Sequence, residues 1–342
     1  MPKITHSADI DRELFDRELN SFVPDVVCDA HAHLWARADL PAAALAGAFG
    51  SAAEPVIDLA TYRDYMAGLL PNRRIAGGLL IPGAVGATGA SLAAENELVS
   101  RAARSAPGWR SSFLITPQMT PEYVRAEARR LGAAGLKCYH VHSGKEPSWD
   151  AEIPDYLPEP IVRVADEEGL CITLHMVRRR AVADPSNQRW IRHYCETYPR
   201  MRLILAHAAR GFNPNHTIEG IPALRGLPNL WCDMAAVTDV GACEAIIEAL
   251  GHERLLYGTD FPVSHLRGRC VAIGDGFLWL YEDTVDWATV WFLPLQPVLI
   301  GLESLRVLKH AAWHRRLSDR QVEDIFCNNA RQLLGLDKGE LL

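Results

Sequence analysis

Short apolar runs rich in Val, Ile, Leu and small residues recur along the chain, and most alternate with stretches whose apolar positions repeat at helical spacing. Eight of these runs predict strands: VVCDAHAH (26–33), RIAGGLLIP (74–82), WRSSFLIT (109–116), AGLKCYHV (134–141), LCITLHMV (170–177), MRLILAHAA (201–209), NLWCDMAA (229–236) and RLLYGTDFP (254–262). Helical spacing falls at 61–70, 91–106, 121–131, 159–168, 185–198, 218–224 and 240–250. A charged helix over 8–20 precedes the first strand. A closing helix is expected in SDRQVEDIFCNNARQLLGL (318–336), where Ser318 and Gln321 stand at capping-box spacing and Gly335 marks the end.

Strands alternating with helices imply parallel pairing through right-handed crossovers, and eight units in series are what a closed barrel needs. The competing open, doubly wound sheet lacks its usual glycine-rich phosphate turn after the first strand. The expected fold is therefore α/β, a (β/α)8 TIM barrel forming one domain over 1–342. It carries an N-terminal helical extension (1–25) and a helical insertion after the eighth strand (264–317), rich in aromatics: Phe277, Trp279, Tyr281, Trp287, Trp291 and Phe292.

Composition narrows the class. With 49% hydrophobic and 23% charged residues among 342, the chain can bury a large core. A net charge of -7 and no long basic run argue against a nucleic-acid partner. The eight cysteines are scattered without a CxxC pair, which fits a reduced compartment. The first residues lack a signal-peptide pattern and no apolar stretch is long and clean enough for a bilayer, so a cytoplasmic protein without a membrane partner is expected.

Barrel chemistry sits where strands end, beneath the βα loops. His31 and His33 close the first predicted strand, His175 the fifth, His207 the sixth and Asp260 the eighth. Two residues apart on a strand, His31 and His33 project into the same space. Imidazole and carboxylate donors suit zinc, manganese or iron and leave room for water. A single histidine in an apolar strand is usually a hydrogen-bonded core residue. Core packing gives no reason for five titratable residues to recur at four strand ends.

DAHAH (29–33), TLH (173–175), LAH (205–207), YGTDFP (257–262) and IFCNNARQLLGL (325–336) resemble the motifs of the amidohydrolase superfamily, in particular the branch called amidohydrolase family 2, which includes enzymes like aminocarboxymuconate-semialdehyde decarboxylase. The resemblance implies one divalent metal, zinc by default with manganese as the alternative, held by His31, His33, His175 and Asp260. His207 would lie beside it, facing the substrate as a donor to the developing oxyanion. It also implies a metal-dependent hydrolase in which Asp260 handles the proton of the attacking water, opening a lactone, ester or amide bond. A decarboxylase or hydratase of a small carboxylic acid on the same residues is the alternative, and a non-catalytic ligand-binding barrel a third reading.

Lys137 ends the fourth strand, where binuclear members of the superfamily carry a carboxylated lysine; a plain ammonium and a single metal are the favoured reading here. Alternation puts Lys137 and Tyr139 on one face and His140 on the other. Arg178 and Arg210 follow His175 and His207 in their loops and point to a small anionic organic substrate, since arginine grips carboxylates in a fork. Trp35, Tyr139 and the aromatic insertion are candidates to line the pocket. The apolar segment VWFLPLQPVLIGL (290–302) is a candidate homo-oligomer contact.

Overall fold

The eight apolar runs pair in the order in which they occur. A computed structural model describes residues 2–287, 295–337 and 339. Strand β1 (Val26–Ala36) pairs at its far end with the short antiparallel β2 (Val56–Ile57). It then pairs in parallel with β3 (Arg74–Pro82), followed by β4 (Trp109–Leu114), β5 (Gly135–Cys138), β6 (Cys171–Leu174), β7 (Arg202–Leu205), β8 (Leu230–Asp233) and β9 (Leu255–Leu256). The ring closes by backbone hydrogen bonds from Ala30 N to Tyr257 O at 2.9 Å and from Asp260 N to His31 O at 2.8 Å, with Ala32 and Phe261 bridged in parallel. This is the TIM-barrel arrangement expected from the pattern.

Helix ends follow local chemistry. In Pro121–Leu131, Thr120 accepts from Tyr123 N, proline occupies the first turn and Gly132 ends the helix in the left-handed region; a cap of this kind stabilises by about 1 kcal/mol. The closing helical segment starts with the Ser318–Gln321 capping box and stops at left-handed Gly335. Asn329 locks it beneath β9 by donating to His252 O (2.8 Å) and Leu255 O (2.9 Å).

Side chains alternate between two cores. Leu136, Ile172, Leu174, Leu203 and Leu205 pack outward in the cluster that includes helix residues Val124, Ile161, Ile191 and Ile246. Cys28, Leu79, Cys171, Ile204 and Leu256 form the second cluster with Cys327, Ala330, Leu333 and Leu334 of the closing segment. That segment therefore seals the end of the barrel where the strands begin, leaving the opposite end for chemistry.

The insertion departs from the helical expectation. It opens with an antiparallel hairpin, β10 (Gly268–Ile273) and β11 (Gly276–Tyr281), and only later forms the helix Ile300–His314. Phe277, Trp279 and Tyr281 recur every second residue, which is strand spacing. Trp291, Phe292 and the first part of the segment 290–302 lie outside the described residues. Among the described residues no helix is long and apolar enough to cross a membrane.

Candidate metal centre

Two buried carboxylates outside the expected ligand set build the site's frame. Asp29, on β1, accepts from His31 N (2.9 Å), Thr259 N (3.0 Å), Thr259 Oγ1 (2.5 Å) and Tyr62 Oη (2.6 Å), tying the histidine-bearing strand to the loop after β9. Asp233, ending β8, accepts from His31 Nδ1 (3.0 Å), His207 N (2.9 Å) and Ala235 N (3.1 Å). Burial raises both carboxyls, and the donors around them favour the ionised form. Their signal in the sequence is an aspartate inside an apolar strand, a group that must find partners once buried.

The strands end sooner than their apolar runs because the site residues leave extended geometry. His207, Ala208, Ala209 and Arg210 have φ of 59°, 51°, 60° and 58°, and Asp260 has φ 52°. Left-handed backbone costs an L-residue roughly 1–2 kcal/mol, so neighbours must enforce it. Asp233 holds His207 N, Thr217 Oγ1 donates to Ala208 O at 2.9 Å, and Gly211 N closes the turn on His207 O at 2.6 Å.

On this frame the predicted residues converge. His31 Nε2 lies 3.5 Å and His33 Nε2 3.3 Å from the same Asp260 Oδ1. A nitrogen or oxygen from each of His31, His207 and Asp260 falls within 4.8 Å of the others. The His175 ring stands 5.0 Å from that of His207, one ring further out and outside this trio. Lys137 Nζ is 3.3 Å from His31 Nε2 and 4.9 Å from the Tyr139 ring, so Lys137 and Tyr139 do share a face.

Electrostatics leave lone pairs on offer. Burial, with Lys137 adding to it for His31 and His207 for His175, drives both imidazoles well below their ordinary pKa, which keeps them neutral. Burial alone would raise the Asp260 carboxyl, but His207, His33 and His31 outweigh it and hold it at about 2. Buried Lys137 is pushed down by desolvation. His33 Nδ1 is buried with no hydrogen-bond partner among the described residues. Imidazole nitrogens around a carboxylate fit a divalent cation by donor type.

His207 Nδ1 lies 2.9 Å from Ala235 O, which can only accept, so Nδ1 carries a proton and Nε2 is the ring atom left for the site.

Above the histidines, Arg210 lies between the Trp149 and Phe277 rings, 5.4 Å from each, and its Nη1 donates to Arg178 O at 3.0 Å. A cavity of about 480 Å³ opens here, lined by Trp149, Arg178, Arg210 and Phe277 among others. Arg178 is already engaged, donating to Asp184 Oδ2 at 3.0 Å and Asp150 O at 3.2 Å, so it clips its own loop. Trp35 is fully buried against Phe49 and Phe261; Phe49, 5.6 Å from the His33 ring, takes the place expected for it. His140 joins the mouth after all, its ring 4.4 Å from Trp149 and 6.1 Å from His175, because the strand stops at Cys138 and alternation stops with it.

The hairpin forms one wall. Phe212 stacks on His207 at 5.2 Å and meets Phe277 at 5.1 Å and Trp279 at 5.3 Å. The hairpin turn is pinned by Asn213 Nδ2, which donates to Gly274 O and Gly276 O, and by His216 against Asp275.

The family model Amidohydro_2, described as Amidohydrolase, matches residues 28–336. This chain belongs to that amidohydrolase family. A stretch of it is 26% identical over 141 residues to the L-fucono-1,5-lactonase of Burkholderia ambifaria, 37% of this chain and 47% of the lactonase, so it spans about half of that relative. An amidohydrolase from Burkholderia multivorans, solved with bound HEPES, superposes with a TM-score of 0.60 at 16% identity, covering 91% of this chain and all of that one. A 2,6-dihydroxybenzoate decarboxylase complexed with 2,6-dihydroxybenzoate superposes with a TM-score of 0.52 at 14% identity, covering 91% of this chain and 99% of that one. A protein named an amidohydrolase and one named a decarboxylase thus share the fold found here, and fold alone does not choose a reaction.

Proposed function

We propose that the chain is a hydrolase that opens a lactone, ester or amide bond of a small carboxylated substrate, at one divalent metal held by His31, His33, His175 and Asp260. The observation that carries this reading is the convergence of His31 Nε2 and His33 Nε2 on one oxygen of an ionised Asp260. A divalent ion bound there, zinc by donor type with manganese next, supplies Lewis acidity toward a carbonyl and lowers the pKa of water. Asp260 takes up the proton of the attacking water and returns it to the leaving group. His207, its Nδ1–H committed to Ala235, turns Nε2 to the substrate side and orients that water. Arg210, fixed between two rings, receives the substrate carboxylate. The partial likeness to a lactonase favours an oxygen ester, a lactone above all, as the bond opened.

The test is elemental analysis of the wild type and of a His31→Ala, His33→Ala double variant, followed by a screen for acid release from lactones and for carbon dioxide release from carboxylated aromatics. The expected result is about one ion per chain, lost in the variant, with lactone opening. Two ions per chain would make Lys137 a bridging ligand. No metal under replete conditions overturns the reading, and carbon dioxide release without lactone opening replaces hydrolysis by decarboxylation.

A further inference from the structure

The last turn of the helix Ile300–His314 carries His310 and His314 on its exposed face, while Ala311 and Ala312 between them are buried in the core. Residues four apart on a helix are neighbours on one face. The two rings lie 23° from parallel with their centroids 6.4 Å apart. This is the spacing at which two helical histidines reach one metal ion. Rings bound to one tetrahedral ion stand roughly 5 Å apart by centroids, and a small turn of the exposed His310 side chain closes the difference.

A second contact orders the pair. Glu244, on the adjoining helix Val240–Leu250, accepts from His314 Nδ1 at 2.5 Å, so Nδ1 carries a proton and Nε2 is the ring atom left for a ligand. A carboxylate behind a histidine is the arrangement that orients imidazole ligands and strengthens their hold on metal. The carbonyls that end the helix add partial negative charge, and Glu248 takes up the adjacent Arg315 guanidinium at 2.6 Å. Ala311 stands where helical zinc hydrolases place a catalytic glutamate, so the pair can bind an ion without a reaction of its own.

We propose that His310 and His314 form a second metal site, on the surface and separate from the barrel centre, for a late first-row divalent ion. Copper(II) is held most tightly, nickel(II) and zinc(II) less so. Glu244 is a positioning residue behind His314, and water fills the remaining coordination positions. Two protein donors hold an ion less firmly than the three or four of a closed site, so desalting empties this one.

The untagged full chain is applied to immobilised nickel–iminodiacetate, and after desalting its tryptophan fluorescence is titrated with copper(II) sulfate. Trp313, 75% exposed and with its ring 5.9 Å from that of His314, is the reporter. The expected result is retention that imidazole releases and a saturable, partial quench at about one added copper per chain. His310→Ala should remove both; alanine is the best helix former, so the exposed turn keeps its shape. Glu244→Gln should weaken copper binding by about 10–100-fold. Trp313→Phe should keep the retention and lose most of the quench. No retention of the wild type, or retention and quench that survive unchanged in His310→Ala, overturns the proposal.

Discussion

His31 Nδ1 sits 3.0 Å from Asp233 Oδ2, between two side chains that are both fully buried and 202 positions apart in the chain. The carboxylate fixes the proton on Nδ1 and so turns the Nε2 lone pair toward Asp260 and His33. The same carboxylate, through its other oxygen, holds the backbone of His207 in its left-handed turn. One residue thereby sets the direction of two imidazoles.

Asp233→Asn should therefore weaken metal binding although the residue is not itself placed among the ligands. Loss of a carboxylate partner behind a histidine ligand lowers affinity by about 10–100-fold. Competition with a chelator, comparing wild type and variant at equal metal load, measures it. Unchanged affinity would detach Asp233 from the metal centre and leave it a purely structural residue.

Arg210→Met keeps an apolar chain between Trp149 and Phe277 and removes the charge. If Arg210 receives the substrate carboxylate, KM for a carboxylated substrate should rise by about 10–100-fold, the loss of a charged hydrogen bond, while kcat moves far less. The methyl ester of the same substrate should show no such change. Equal losses on acid and ester would place Arg210 in the packing of the wall alone.

Much of this molecule can be read from residue pattern and type. The eight strands and the helices between them follow from spacing, and His31, His33 and Asp260 follow from titratable residues at strand ends, where burial without purpose is costly. What escapes depends on partners that only the fold brings near. Arg178 looks free in HMVRRR until Asp184 folds back onto it, and Trp35 looks like a pocket wall until Phe49 covers it. Asp29 and Asp233 carry the signal of an acid in an apolar strand, yet donors come from distant parts of the chain: to Asp29 from Tyr62 on the helix Leu59–Leu69 and from Thr259 in the loop after β9, and to Asp233 from His31 on β1. His140 escapes because alternation is a property of extended backbone and ends at Cys138.

The hairpin wall gives a prediction that does not depend on the substrate. Asn213 Nδ2 donates to Gly274 O (3.1 Å) and Gly276 O (2.9 Å), and the Asn213 side chain is buried. Asn213→Ala removes the side-chain donor that the two turn carbonyls share, at a cost of about 1–3 kcal/mol. Hydrogen exchange should speed up over Gly268–Ile273 and Gly276–Tyr281 and stay unchanged in the barrel strands. A uniform acceleration across the chain would show that the turn and the barrel open together and that Asn213 does not control the hairpin separately.

Glu95, on the helix Gly89–Ser105, makes stability depend on pH. It is buried, its Oε1 accepts Ala36 N at 2.7 Å, and burial raises its carboxyl from 4.5 to about 7. The folded chain therefore keeps this proton to higher pH than the unfolded chain does. The stabilising contribution is fully present below 4.5, declines as the pH rises toward about 7 and is gone above it. Each pH step of one between those two values removes about 1.4 kcal/mol, so the whole loss is roughly 3 kcal/mol. Urea unfolding of wild type and Glu95→Gln across this window tests it, because the amide cannot ionise and the variant should lack the decline. Parallel profiles for the two proteins would mean that Glu95 ionises in the folded state as easily as in the unfolded one, with water or a cation reaching it behind β1.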